Sequence, residues 1–367
     1  MRHERLSKLE DYMYFKCCIL ILVVGISMGA RAVDTHQNSQ QAEDEKSPWL
    51  AVPLVSSDPK VGTSAGGMAG YLFKLDQDST SSMVAVGGTY STTDSLLGGV
   101  VLRTFWDQDR KRLIVFGGGG EINNDYEDFL GSGMPAQTTD QLKALQARYL
   151  QQVRDNWYAG VKGTYTNYLI FSEDGSINDM LDSLGLTGFD SVAVGLIAMY
   201  DSRDNQNAPD SGTLFSLENF AYREALGGEE SFDVYTLKLK QYLPHGDGNV
   251  LAYQLSGRWT SDASPGGYSS VALRGYTRGQ YLAPHSTQIE FEERVHIGGR
   301  FGVNFFAGVA CLYGDGSKCT DTENLYPSVG AGGQITLKEE EHIVMTFDFA
   351  FGKSGNNGFY MRFGQSF

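Results

Sequence analysis

Long apolar runs are missing from nearly all of this chain. Past residue 32 no stretch of roughly eighteen uncharged apolar residues occurs, which excludes a spanning helix there. Basic residues are few: 29 Lys and Arg against 44 Asp and Glu give a net charge of −15. That balance excludes the cationic surplus with which proteins neutralise nucleic-acid phosphates. Proline is sparse, with 9 in 367 residues, while 12% of the chain is aromatic. Both figures argue against disorder. The six histidines (His3, His36, His245, His285, His296 and His342) make no metal-ligand spacing, so no metal is expected. Gly117–Gly120 lacks the Lys-Ser/Thr that a phosphate loop needs, and no nucleophile elbow is read. Neither an enzyme nor a cofactor is expected. The acidic runs Asp125–Asp128 and Gly314–Gly316 read as solvated loops.

Glycine, by contrast, is abundant at 45 residues, against the ordinary ~7% of a chain. Residues that cost roughly 1 kcal/mol each inside a helix point toward strands and turns. The N-terminus reads as a secretory signal: a basic start (Arg2, Arg5, Lys8, Lys16), an apolar core from Cys17 to Met28, and Ala30-Arg31-Ala32 as the cleavage site. Residues 1–32 are therefore expected to be removed; five basic and three acidic residues go with them, leaving −17. Cys17 and Cys18 leave as well. Cys311 and Cys319 remain, able to pair in an oxidising compartment or to stay as free thiols. Residues 33–46 form a polar leader, and 47–367 the folded part.

From Ser47 onward the pattern has a period of two. Leu251, Tyr253, Leu255 and Trp259 oppose Gln254, Ser256 and Arg258, and Met345, Phe347, Phe349 and Phe351 oppose Thr346 and Asp348. Ile289, Phe291, Val295 and Ile297 likewise oppose Gln288, Glu290, Glu292 and Arg294, with Glu293 interrupting the apolar face. The stretch 142–154 has a helical composition but alternates, which favours a strand. The strands expected are 48–57, 63–76, 82–93, 95–106, 111–123, 141–155, 157–171, 190–202, 212–225, 231–243, 249–260, 286–297, 300–313, 326–337, 342–352 and 358–367. Short turns alternate with longer loops at 124–140, 172–189, 261–285 and 314–325. Sixteen strands with charges opposite large aromatics describe an all-β, antiparallel transmembrane β-barrel, because only a closed sheet pairs every backbone group in hydrocarbon. The ending Phe359, Met361, Phe363 and Phe367 on one face resembles the C-terminal recognition signal of bacterial outer-membrane proteins.

The stretch Ser270-Val271-Ala272-Leu273-Arg274-Gly275-Tyr276 resembles the Arg-Gly-aromatic loop of the BamA/TamA-like outer-membrane assembly barrels. Tyr200–Asn205 with Pro209 and Gly212 resembles the turn before that family's ninth strand. Gln288–Phe291 resembles its twelfth, and Tyr326–Gly332 also fits. Phe306, Gly308 and Ala310 stand where the family has Phe-x-Asp-x-Gly. The resemblance covers roughly 47–367. It implies a loop between strands 11 and 12 folded into the lumen, with Arg274, Gly275 and Tyr276 on the inner wall and Glu290 as the acidic partner. It also implies a seam between the first and last strands, weakened by Pro48, Pro53 and Gly364. Residues 33–46 are too short for the periplasmic POTRA domains of BamA and TamA, which points to a barrel-only branch.

The function so implied is assembly or insertion of outer-membrane proteins, or membrane remodelling. A passive pore and a structural barrel served by a separate periplasmic partner are the alternatives. The expected surroundings are outer-membrane lipid and lipopolysaccharide, the barrel-assembly machinery during biogenesis, and client outer-membrane proteins.

Overall fold

The computed structural model describes residues 47–365 apart from 59, 128 and 130–133. The signal (1–32), the leader (33–46) and Phe367 lie outside the described residues.

The wall strands are β1 (Trp49–Asp58), β2 (Gly62–Phe73), β3 (Ser82–Ser91), β4 (Leu96–Trp106), β5 (Lys111–Tyr126), β6 (Ala136–Arg154), β7 (Trp157–Phe171), β8 (Asp190–Asp201), β9 (Gly212–Tyr222), β10 (Phe232–His245) and β11 (Asn249–Ser261). They continue with β14 (His285–Gly298), β15 (Phe301–Tyr313), β16 (Leu325–Lys338), β17 (Ile343–Gly352) and β18 (Asn357–Phe363). Between β11 and β14 a two-residue ribbon pairs β12 (Ser269–Ser270) with β13 (Leu282–Ala283). The sixteen wall strands form one closed antiparallel barrel, each paired with its neighbour in sequence and β1 meeting β18. Among the described residues one α-helix, α1 (Gly175–Ser183), lies in the β7–β8 connection, and the Asp174 side chain caps it by accepting from Ser176 N at 2.8 Å.

The alternation in the sequence becomes two faces. Val86, Val100, Leu145, Val194, Leu196, Leu217, Phe305, Phe349 and Phe351 are exposed. Their alternates, among them Ala85, Ala193, Ile197, Ala252, Thr346 and Asp348, are buried. Leu255 and Phe347 belong to the exposed face through their pairings with Ile289 and Gly333, which flank exposed Phe291 and Ala331. So many exposed large apolar side chains are uncommon on a protein that meets water on every side. Glu293, the interruption in the apolar face, accepts from His245 Nε2 at 2.7 Å.

Some boundaries differ from the sequence reading. The loop expected from 124 to 140 gives way at both ends, because Asn123–Tyr126 pair with Thr139–Ala136 and carry the hairpin further. The 172–189 loop contains α1, and the stretch 142–154 is strand. The last strand stops at Phe363, since Gly364 takes φ +92° and turns the chain. The end carrying both Trp49 and Phe363 has tight turns at 155–156, 246–248 and 299–300, while the opposite end carries 172–189, 262–284 and 314–324.

Close strand approach explains part of the glycine excess. A Cβ on Gly66 would stand 1.9 Å from the Gly88 carbonyl oxygen, whereas one on Gly67 would meet nothing nearer than 3.7 Å. Gly66→Val should therefore lose most of the compact, heat-modifiable band on SDS gels, and Gly67→Val should keep it.

Candidate functional site

The β11–β14 connection packs on the buried face of β14–β17. Arg274 is 4% exposed. Its Nε and Nη2 both lie 2.8 Å from Glu290 Oε1, and Nη1 lies 2.7 Å from Glu292 Oε2 and 3.1 Å from Asp348 Oδ2. The guanidinium also lies 3.4 Å from the centroid of the Phe306 ring. Burial alone would lower the guanidinium pKa; Glu292, Glu290 and Asp348 outweigh it and hold it above its ordinary value. The loop backbone is fixed too. Ser328 Oγ donates to the Arg274 carbonyl at 2.5 Å, and Gly275 N donates to Tyr360 Oη at 3.1 Å. Gly275 has φ +90° against the β17 backbone, a place for glycine alone. Tyr276 donates to the Pro327 carbonyl at 2.6 Å and accepts from Lys353 N at 2.8 Å.

Of the residues singled out in the sequence, Arg274, Gly275, Tyr276, Glu290 and Phe306 thus come together. Gly308 pairs with Glu290, and a Cβ there would crowd it at 3.2 Å; Ala310 packs in the apolar cluster under Tyr276 and Tyr281. Glu292 and Asp348 were missed as ligands of Arg274, although both stand at polar positions of their strands' alternations. Asp348 supplies the carboxylate that position 308 does not. Cys311 and Cys319 form a disulfide with Cα atoms 5.7 Å apart, tethering the 314–324 loop at the long-loop end. Gly62-Thr63-Ser64-Ala65-Gly66 spells the elbow motif that the sequence reading passed over. It lies inside β2, paired on both sides, rather than at a strand-to-helix turn, so it is no elbow. Among the described residues no group of His, Cys, Asp and Glu is arranged to hold a metal.

A second polar constellation lies at the tight-turn end. The β8–β9 connection, 202–211, reaches far around the ring. Arg103 on β4 donates to Asn207 Oδ1, Gln206 Nε2 donates to Asp109 at 3.2 Å, and Asn207 Nδ2 donates to the Glu341 carbonyl at 2.7 Å. Arg294 Nη1 donates to the Pro209 carbonyl at 3.1 Å. Asp201 anchors the base through Arg112 (2.5 Å) and Arg203 (2.8 Å). Arg294 Nε also lies 2.8 Å from Glu292 Oε1, so charge contacts run from Arg274 through Glu292 and Arg294 to this connection.

The seam is built differently from every other junction. β1 registers with β2 from Trp49 to Asp58, but with β18 only at Ser56–Tyr360 and Ser57–Phe359. Pro53 has no N–H to offer. Leu50 and Val52, on the buried face of β1, share one apolar cluster with Ile343 and Met345, which lie on the same face of β17 as exposed Phe349. Met361 and Phe363 of β18 pack against this cluster. Beyond those two pairs the edges are joined by apolar contact rather than by a ladder. Beyond Gly364 the chain turns toward the other face, where Gln365 Nε2 donates to Gln334 at 2.9 Å.

The sequence matches no protein-family model and no curated protein. The barrel does superpose on solved structures. BamA from Haemophilus ducreyi lacking POTRA domains 1–3 gives a TM-score of 0.55 at 11% identity, over 87% of this chain and 70% of that one. At that identity the likeness is one of barrel fold alone. CdiB from Acinetobacter baumannii gives 0.54 at 11% identity over 85% of this chain, and CdiB from Escherichia coli 0.54 at 12% over 86%. The chain spans 59% and 62% of those two CdiB chains. What this chain shares with them at these identities is architecture.

Removing the Arg274 cation leaves three buried carboxylates facing one another. Arg274→Ala should cost about 3–5 kcal/mol, read as a lowered denaturation midpoint. Arg274→Lys should recover only part, because an ammonium cannot span the three acids as a planar fork does.

Proposed function

We propose that this chain is a bacterial outer-membrane β-barrel that works at its seam, inserting or remodelling membrane components, and is no open pore. On this reading residues 1–32 direct export, the exposed apolar band faces lipid, and the barrel is itself placed by the cell's barrel-assembly machinery. The 271–281 segment would close the lumen from the long-loop side, and 202–211 from the tight-turn side.

The observation that carries the reading is the β1–β18 junction. Each missing backbone pair forgoes roughly 1 kcal/mol of hydrogen bonding, and the unpaired edge is what an incoming strand needs for augmentation. An apolar overlap of Leu50 and Val52 on Ile343 and Met345 can slide apart without breaking a ladder. The Arg274 contacts meanwhile hold β14 and β17 in fixed relation to the loop, so that the rest of the wall stays rigid while the seam moves. Clients by this account are unfolded outer-membrane strands, with lipid and lipopolysaccharide as the surrounding medium. A passive pore is disfavoured by two segments contacting the buried face from opposite ends.

Two measurements test this. A disulfide between Ser56→Cys and Tyr360→Cys should abolish insertion of a model outer-membrane protein into proteoliposomes and be reversed by mild reduction. The same bond across β16–β17, Val329→Cys with Phe351→Cys, should leave activity intact. Unchanged insertion with the seam locked would overturn the proposal. In planar bilayers the wild type should conduct little, and replacing 204–210 with a short Gly-Ser turn should raise single-channel conductance severalfold.

A further inference from the structure

The long-loop end holds a cavity of about 260 Å³ that no step above uses. It lies between α1, the 265–267 turn of the β11–β14 connection, and the wall strands from β5 to β11. Most of its lining is aromatic or aliphatic: Tyr126, Phe129, Tyr168, Phe189, Tyr222 and Phe232, with Leu181 and Leu186. Tyr222 and Phe232 stack face to face at 4.2 Å and present a flat wall. Glycines keep the space open, since a Cβ on Gly266 would stand 2.8 Å from Phe189.

One lining residue is out of keeping with the rest. Arg258 donates to Ser269 Oγ at 3.0 Å and to the Gly267 carbonyl at 2.9 Å, both neutral acceptors, and makes no ion pair among the described residues. The contrast with Arg274, met by three carboxylates, is direct. Lys60, the other cation in the lining, is matched by Asp140 at 3.6 Å. A guanidinium half-removed from water without a counter-charge is an incomplete arrangement, and it completes itself with an anion.

We propose that this cavity is a binding site for a small amphipathic carboxylate, its acid group on Arg258 and its apolar or aromatic body against the Tyr222–Phe232 wall. A cavity of about 260 Å³ lies near the lower end of ligand-pocket sizes and suits an aryl acid. Thr138, Thr166 and Ser191 also line the cavity. A neutral analogue loses the charge-assisted pair, and a cation is repelled.

The test uses the full barrel in nanodiscs, with empty nanodiscs as the control for partitioning, and phenylacetate as the probe followed by calorimetry. Saturable binding is expected below roughly 1 mM. Arg258→Gln should weaken it at least tenfold, and 2-phenylethanol should bind at least tenfold more weakly than the acid. Thr166→Phe, which fills the cavity and leaves Arg258 in place, should abolish binding. Both variants are scored only with wild-type heat-modifiable mobility. Should Arg258→Gln fail that check, the acid–alcohol comparison and Thr166→Phe decide. No saturable binding up to roughly 10 mM, equal binding of acid and alcohol, or binding unmoved by Thr166→Phe would overturn the proposal.

Discussion

A cation withdrawn from water must be answered by anions, and this barrel is arranged around that requirement. Arg274 sits at the point of a loop that has left the solvent. Its position is tolerable only because Glu290 and Glu292 on one strand and Asp348 on another converge on it from two directions. Those acids are themselves buried at less than a tenth exposure, so neither side is acceptable without the other. The loop, β14 and β17 are thereby mutually dependent, and Ser328, Tyr276 and Tyr360 fasten the neighbouring backbone in the same register.

Against that fixed sector stands the junction of first and last strands, where pairing is confined to Ser56 and Ser57 and the remainder is apolar overlap. The contrast is one of interaction type. Charge-assisted hydrogen bonds are directional and fail abruptly, while apolar contacts are non-directional and let surfaces slip past each other. A wall stiff on one side and loose at one seam is what a protein needs if it is to open without unfolding.

The wall strands were legible from the alternation of side chains, because a barrel wetted on one face and greasy on the other must write its period of two into the chain. The 142–154 segment shows how far that goes: a helical composition gave way to its alternation, and β6 is the longest strand. Arg274, Gly275, Tyr276 and Glu290 were found through resemblance; Glu292 and Asp348 were visible only as polar-face residues. Which acids meet which base depends on how a loop of more than twenty residues folds back across strands, and no local pattern encodes that. The reach of 202–211 to β4 and to the β16–β17 turn was hidden for the same reason, as was the loose pairing at the seam. The elbow-like glycine–serine string in β2 shows the converse, a motif without the context that gives it meaning.

The His245–Glu293 pair has a bearing on how the barrel would ride in a bilayer. A hydrogen-bonded ionisable pair on the exposed face is unwelcome among acyl chains, so in the proposed bilayer setting it would set a lower waterline on the flank formed by β10, β11 and β14. From His285 to Glu293 is eight residues, or roughly 26 Å along a strand and about 20 Å of vertical height once strand tilt is allowed for. That is less than the usual ~25 Å apolar belt of such barrels. Lipids along this flank would have to shorten or splay, and the barrel would sit aslant, dipping toward the thinned side.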